Sequence, residues 1–158
     1  MDKEAFDKML KISEEYFGTA NDPDQIPISK EAGDKIRSIH PETILYKFNK
    51  GNPIAWEVII PTSLSVMNNF LHKKISERVL FEIAVKEKKH EALYLCSAFV
   101  LPEYRGRGYA KELIMKGIAT LSQNKELPLY CWIYSNEGKN LVDSLSKTLG
   151  KTIQNRDE

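Results

Sequence analysis

Apolar positions recur along the chain with two different periods, and the change of period marks the elements. Phe6, Met9, Leu10 and Phe17 share one face at helical spacing, which predicts an amphipathic helix over residues 2–17 with Asp2 as its cap and Gly18 as its end. Residues 19–27 are polar, contain Pro23 and Pro27, and read as a loop. A short helix is predicted from Ser29 to Ser38, closed off by Pro41. Residues 44–48 and 54–60 then read as two strands around the turn Asn49-Lys50-Gly51-Asn52, a hairpin whose second strand should stop at Pro61. Thr62 or Ser63 caps a helix with Leu64, Met67 and Leu71 on its apolar face. Residues 75–90 fit both periods, and helix is the preferred reading, with Lys86 to Lys89 as a solvated turn.

The second half is more sharply patterned. Residues 92–101, ALYLCSAFVL, lack a polar face and suit a central strand covered on both sides. After Pro102 and a glycine-rich turn, Ala110, Leu113, Ile114, Ile118 and Leu121 form one helical stripe that ends near Ser122. Pro128 introduces a strand over 129–134. A last helix over about 138–149 buries Leu141, Val142, Leu145 and Leu149 and ends at Gly150. The tail after Thr152 is polar and is expected to fray.

The chain has 158 residues, enough for one compact domain over 1–158. With 23 basic against 22 acidic residues the net charge is +1, which argues against nucleic-acid or anionic-membrane binding by bulk charge. No apolar run reaches the roughly 20 residues of a membrane helix, and the charged start Met1-Asp2-Lys3-Glu4 is unlike a secretion signal. Cys96 and Cys131 both sit in apolar runs and read as reduced core thiols, so a cytoplasmic setting is expected. His40, His72 and His90 show no ligand spacing, so no metal site is expected.

The chemistry concentrates in Glu103-Tyr104-Arg105-Gly106-Arg107-Gly108-Tyr109-Ala110, between the central strand and a helix. Such a turn leaves several amide N–H groups unpaired at a helix N-terminus, where an anion is favoured. Gly106 and Gly108 let a phosphate approach the backbone, and Arg105 and Arg107 add charge. A Walker-type loop is excluded because the turn does not end in Gly-Lys-Ser/Thr. A dinucleotide fingerprint would need a third glycine where Lys111 stands. A coenzyme A pyrophosphate loop and a plain strand-to-helix turn remain.

The segment Val100-Leu101-Pro102-Glu103-Tyr104-Arg105-Gly106-Arg107-Gly108-Tyr109-Ala110 resembles the signature of the GNAT superfamily of acyl-CoA-dependent N-acyltransferases, Gln/Arg-x-x-Gly-x-Gly/Ala, met here by Arg105, Gly108 and Ala110. The likeness covers residues 92–150; the first 91 residues fit less specifically, with 62–90 as a helical insertion. It implies an α/β fold with a mixed, splayed sheet flanked by helices. Residues 92–150 would then hold acetyl-CoA as co-substrate, and residues 1–91 would form the acceptor side. The resemblance further implies that the amides of Arg105, Gly106, Arg107, Gly108, Tyr109 and Ala110 hold the pyrophosphate. The pantetheine arm would pair with Phe99, Val100 and Leu101 in the manner of an added strand. Asn136 and Lys139 are available beyond the next strand, and Asn136 serves equally well as a helix cap.

The implied reaction is direct transfer of an acetyl group to a primary amine, with a backbone N–H of Val100 or Phe99 holding the oxyanion. The family's helix tyrosine falls on Ser146 when counted back from Gly150, which leaves Tyr134 as a substitute proton donor or as a plain pocket or core aromatic. The central strand carries no acid over 93–100, so Glu57 on the hairpin is the candidate base, with the solvent face of an edge strand as its other reading. Trp56 lines the acceptor pocket or the core. The resemblance leaves open the acceptor and a homodimer. The missing tyrosine and acid also admit a degenerate domain that binds acyl-CoA or a protein partner without turnover. A nucleotide-binding regulatory module would need the lysine–hydroxyl pair that is absent.

Overall fold

The computed structural model describes residues 3–17 and 22–156. Its elements run in the order α1 (Lys3–Phe17), α2 (Lys30–Ile39), β1 (Ile44–Asn49), β2 (Asn52–Thr62), α3 (Leu64–Leu71), α4 (Glu77–Glu87), β3 (Ala92–Val100), α5 (Tyr109–Leu121), β4 (Leu129–Cys131), α6 (Asn136–Leu149) and β5 (Ile153–Asn155). The five strands form one mixed sheet in sequence order; β1, β2 and β3 are antiparallel, and β3, β4 and β5 are parallel. The expected cap Asp2, the expected end Gly18 and the Phe17 side chain lie outside the described residues.

Helices cover both faces of the sheet. On one face Ile36, Ile60, Val66, Phe70, Leu80, Phe81, Tyr94 and Tyr130 form a core under α2, α3 and α4. Beside it Phe6 and Met9 of α1 pack on Trp56 and Phe99. On the other face Ile59, Leu93 and Leu129 meet Ile114, Ile118 and Leu121 of α5 and Leu145 of α6. Local sequence places the helix starts. The hydroxyls of Ser29, Ser63, Ser76 and Ser135 accept from the amides of Ala32, Val66, Val79 and Gly138 at 3.0–3.2 Å, each capping the helix next to it. Lys50 and Gly51, both at positive φ, close the β1–β2 hairpin as a two-residue turn.

The structure corrects several expectations. Pro61 does not stop β2, which runs through it to Thr62. β1 has already ended at the Ile44–Val58 pair, so Pro61 lies past it and its missing N–H deprives no partner on that side. The buried face of α3 is Val66, Met67 and Phe70, while Leu64 is exposed. Residues 75–90 supply α4, as preferred. β4 ends at Cys131 rather than at Tyr134, and α6 starts at Asn136. The tail does not fray: Ile153 to Asn155 pair with Leu129 to Cys131 and Ile153 is buried. One buried isoleucine and a parallel neighbour outweigh the segment's polar composition.

Two irregularities shape the central part of the sheet. The β2–β3 register shifts between Val58 and Ile59, because Val58 pairs with Ser97 and Ile59 with Leu95; Cys96 is the extra residue of a β-bulge. The pairing of β3 with β4 covers only Leu93 to Leu95 against Leu129 to Cys131, so the strands part beyond that point and leave a gap beside residues 96–100.

Truncating Ile153 to Ala should cost about 2 kcal/mol or more, the usual penalty for emptying a core site. Urea unfolding measures it; an unchanged midpoint would mean that β5 contributes nothing to the core.

Candidate functional site

The gap between β3 and β4 opens at the C-terminal end of β3, where the glycine-rich turn begins. Pro102–Tyr104 makes one 3-10 turn, after which Gly106 (φ +80°) and Gly108 (φ +77°) adopt backbone conformations that side chains resist. Gly108 is the N-cap of α5 and has no side chain to accept from the first-turn amides. Where the serine-capped helices satisfy one of those donors internally, α5 presents the amides of Tyr109, Ala110 and Lys111 without a side-chain cap. With the helix dipole, these exposed donors can hold an oxyanion.

The turn is held from both sides. The Arg105 Nε donates to the Val100 carbonyl at 3.0 Å. Asn49 Nδ2 donates to the Tyr104 hydroxyl at 2.9 Å, and the Arg107 guanidinium lies 5.4 Å from the Tyr104 ring centre. Lys47 of β1 pairs with Glu112 at 3.1 Å and sits over the Tyr109 ring. Lys111 Nζ donates to Ser144 Oγ at 2.9 Å and ties α5 to α6.

Register decides which backbone groups face the gap. Leu101 N–H donates to the Ile54 carbonyl, so alternation turns the amides of Phe99 and Ser97 toward β2 and those of Ala98 and Val100 toward the gap. Of the two expected oxyanion donors, the Val100 N–H faces the gap and the Phe99 N–H faces β2; Ala98 is the gap-facing amide nearest the bulge. The bulge has no signature in the apolar run 92–101.

The expected catalytic side chains separate. Tyr134 is 60% exposed, beyond the end of β4, with its ring 4.6 Å from that of Trp132. Burial of part of the group, and then the charges of Glu77 and Cys96, push its phenol up, so it stays protonated at neutral pH. Glu57 is neither an edge residue nor open to the cleft. It is fully buried on the opposite face, under α5, where a Cβ on Gly117 would lie 2.9 Å from its Oε1. Neither of its oxygens has a partner in hydrogen-bond geometry; the Leu45 amide approaches and offsets only part of the burial, which pushes the carboxyl up to about 9. Ser146 lies near the C-terminal end of α6, and its hydroxyl donates to the Lys151 carbonyl at 2.9 Å. The α6 cap is Ser135, not Asn136; Asn136 and Lys139 are exposed in the first turn of that helix. Trp56 is buried and stacks on Phe99 at 4.9 Å, as a core residue.

One buried acid escaped sequence reading. Glu77 is 6% exposed at the start of α4; its Oε2 accepts from the Tyr94 hydroxyl at 2.5 Å and its Oε1 from Ile26 N–H at 3.3 Å. Burial raises its carboxyl, and the Tyr94 and Ile26 donors and Arg156 counter that. The available signal was its place on the apolar stripe of Leu80, Phe81 and Ala84. The Cys96 and Cys131 thiols are free, and burial pushes Cys131 up to about 12 and Cys96 well above its usual range, which removes thiolate chemistry at neutral pH. Among the described residues no group of three or more His, Cys, Asp or Glu could hold a metal ion, and no helix is long and apolar enough to cross a membrane.

The folded form keeps the Glu57 proton up to about 9, whereas an unfolded carboxyl releases it near 4.5. Its contribution to stability is therefore full below about 4.5 and is lost as pH rises toward about 9. Urea unfolding between pH 6 and 8 should show stability falling with pH by up to about 1.4 kcal/mol per unit from this group. Glu57→Gln should flatten the slope and raise stability at pH 8; parallel profiles for the two proteins would remove Glu57 as the cause.

The family model described as the acetyltransferase (GNAT) family matches residues 8–140. No curated protein matches the chain.

Proposed function

Since the chain belongs to the GNAT acetyltransferase family, we propose that it transfers an acetyl group from acetyl-CoA to a primary amine. The observation that carries this reading is the uncapped, glycine-started N-terminus of α5 at the mouth of the β3–β4 gap. A linear cofactor with a diphosphate at one end and a thioester at the other suits that combination. The amides of residues 105–110 take the diphosphate. The arm runs past Leu101 and Val100, and the thioester reaches the bulge, where the Ala98 and Val100 amides face the gap. Asn136 and Lys139, exposed at the start of α6, border the same opening.

The chemistry asks little of side chains. The neutral amine attacks the thioester carbonyl: the C–N bond forms, the carbonyl oxygen gains charge beside the gap-facing Ala98 and Val100 amides, the nitrogen releases one proton to solvent, and the C–S bond breaks. The departing thiolate takes a proton, and we assign Tyr134, which holds its phenol proton at neutral pH, as the donor. Neither Ser146 nor Glu57 has a part in this scheme. Residues 92–150 form the cofactor half and residues 1–91 the acceptor side of one domain spanning 1–158.

A second reading is acyl-CoA binding without turnover. It is favoured by two of the three catalytic candidates being committed elsewhere: Glu57 is buried under α5 and the Ser146 hydroxyl donates to the Lys151 carbonyl. Release of free thiol from acetyl-CoA, assayed across amines, polyamines, amino acids and peptides, separates the two: acceptor-dependent release defeats the binding-only reading.

Calorimetry with acetyl-CoA tests both, since no binding at millimolar cofactor would refute them together. Gly108→Val forces a β-branched residue to φ +77° and puts a side chain among the donors. It should weaken cofactor binding at least tenfold while the fold survives, and unchanged affinity would show that the turn serves some other purpose.

A further inference from the structure

An arginine on an exposed turn ordinarily samples many rotamers, and ordering it for a ligand costs entropy. Arg105 is exposed yet is held three ways. Its Nε donates to the Val100 carbonyl at 3.0 Å, which fixes one edge of the guanidinium. Its guanidinium carbon lies 5.6 Å from the Phe99 ring centre and 5.8 Å from that of Tyr16. Those two rings are 4.6 Å apart, and Phe99 is in turn stacked on Trp56. Tyr16 is 52% exposed, so core packing does not account for its position at the end of α1. No hydrogen bond or ion pair engages the Arg105 Nη groups among the described residues. The side chain is thus anchored through Nε and leaves its paired Nη donors for a ligand.

We infer that Tyr16 is a positioning residue for the acyl-CoA, acting through Arg105: with Phe99 it cradles the guanidinium so that the Nη edge is presented, preorganised, to the cofactor's oxygen atoms where they pass from the gap to the turn. This inference rests on the reading of the site as an acyl-CoA site. It also makes α1 a part of the cofactor site, in addition to residues 92–150.

The test uses the full chain, with coenzyme A as the probe in calorimetry and acetyl-CoA in steady-state assays. Tyr16→Ala removes a surface ring and should weaken coenzyme A two- to fivefold, the usual worth of an exposed cation–π contact. KM for acetyl-CoA should rise more than kcat falls. Tyr16→Phe should restore the affinity, because the ring and not the hydroxyl meets the guanidinium. In an Arg105→Ala background, Tyr16→Ala should have no further effect. Binding by the Tyr16→Ala chain at parental affinity overturns this inference alone, as does an equal loss with and without Arg105. No coenzyme A binding by the parent chain overturns the acyl-CoA reading and this inference with it.

Discussion

The parting of β3 from β4 is the constraint on which the rest of the site depends. It is the outcome of two holds that pull in different directions. On one side β3 stays with β2 to its end, through pairs that reach Val100. On the other, β4 is captured by the chain's last strand. Asn155 Oδ1 accepts from Ile133 N–H at 3.0 Å, and Arg156 N–H donates to the Cys131 carbonyl at 2.9 Å. After Leu95–Cys131 the two central strands have no ladder between them. Backbone polar groups left without a strand partner need another one, and on the proposed reading a ligand with an extended amide-bearing arm would supply it. The glycine-rich turn begins where this opening ends, so on the proposed reading the two form one site.

Burial of acids sets the electrostatics around the opening. Glu57 and Glu77 occupy opposite faces of the sheet, and neither makes a direct ion pair. Glu57 has no compensating donor in good geometry, and the absence of a side chain at Gly117 gives it room. Glu77 is satisfied by Tyr94 and Ile26, and its charge adds to the burial that raises the phenol of Tyr134. The first is a neutral buried acid that links stability to pH; the second adds to the proton affinity of a group beyond the end of β4.

Much of the molecule was legible because it is local. The Ser63 cap, the apolar stripe of α5, the unbroken apolar run of β3 and the glycine turn each depend on a few adjacent residues. What was missed depends on distant partners. The segment Ile153-Gln154-Asn155 looks like a polar tail until β4 is beside it. Glu57 obeys strand alternation and so reads as a solvent-facing residue; only the knowledge that α5 lies over that face shows it to be buried. Counting back from Gly150 finds Ser146 correctly in sequence, but the hydroxyl there is committed to the Lys151 carbonyl. The link from Tyr16 to Arg105 joins the first helix to the turn and leaves no trace in either segment.

The extra residue at Cys96 has a consequence for how the chain tolerates change in length. Side chains on a strand alternate, so a single additional residue shifts which face every later position serves. Upstream of it, Leu93 and Leu95 belong to the α5 side; downstream, Ala98 and Val100 do, and Phe99 meets α1. A replacement at position 96 leaves that alternation intact. Loss of residue 96 itself would close the bulge and leave Ser97 to Val100 on their present faces, because Ser97 already pairs with Val58; one residue added between Ser97 and Phe99 would instead turn Phe99 toward α5 and strip Arg105 of its aromatic floor. This stretch of β3 is therefore permissive at position 96 and intolerant of a residue added after it, a form of specificity carried by the number of residues beyond the bulge rather than by their kind.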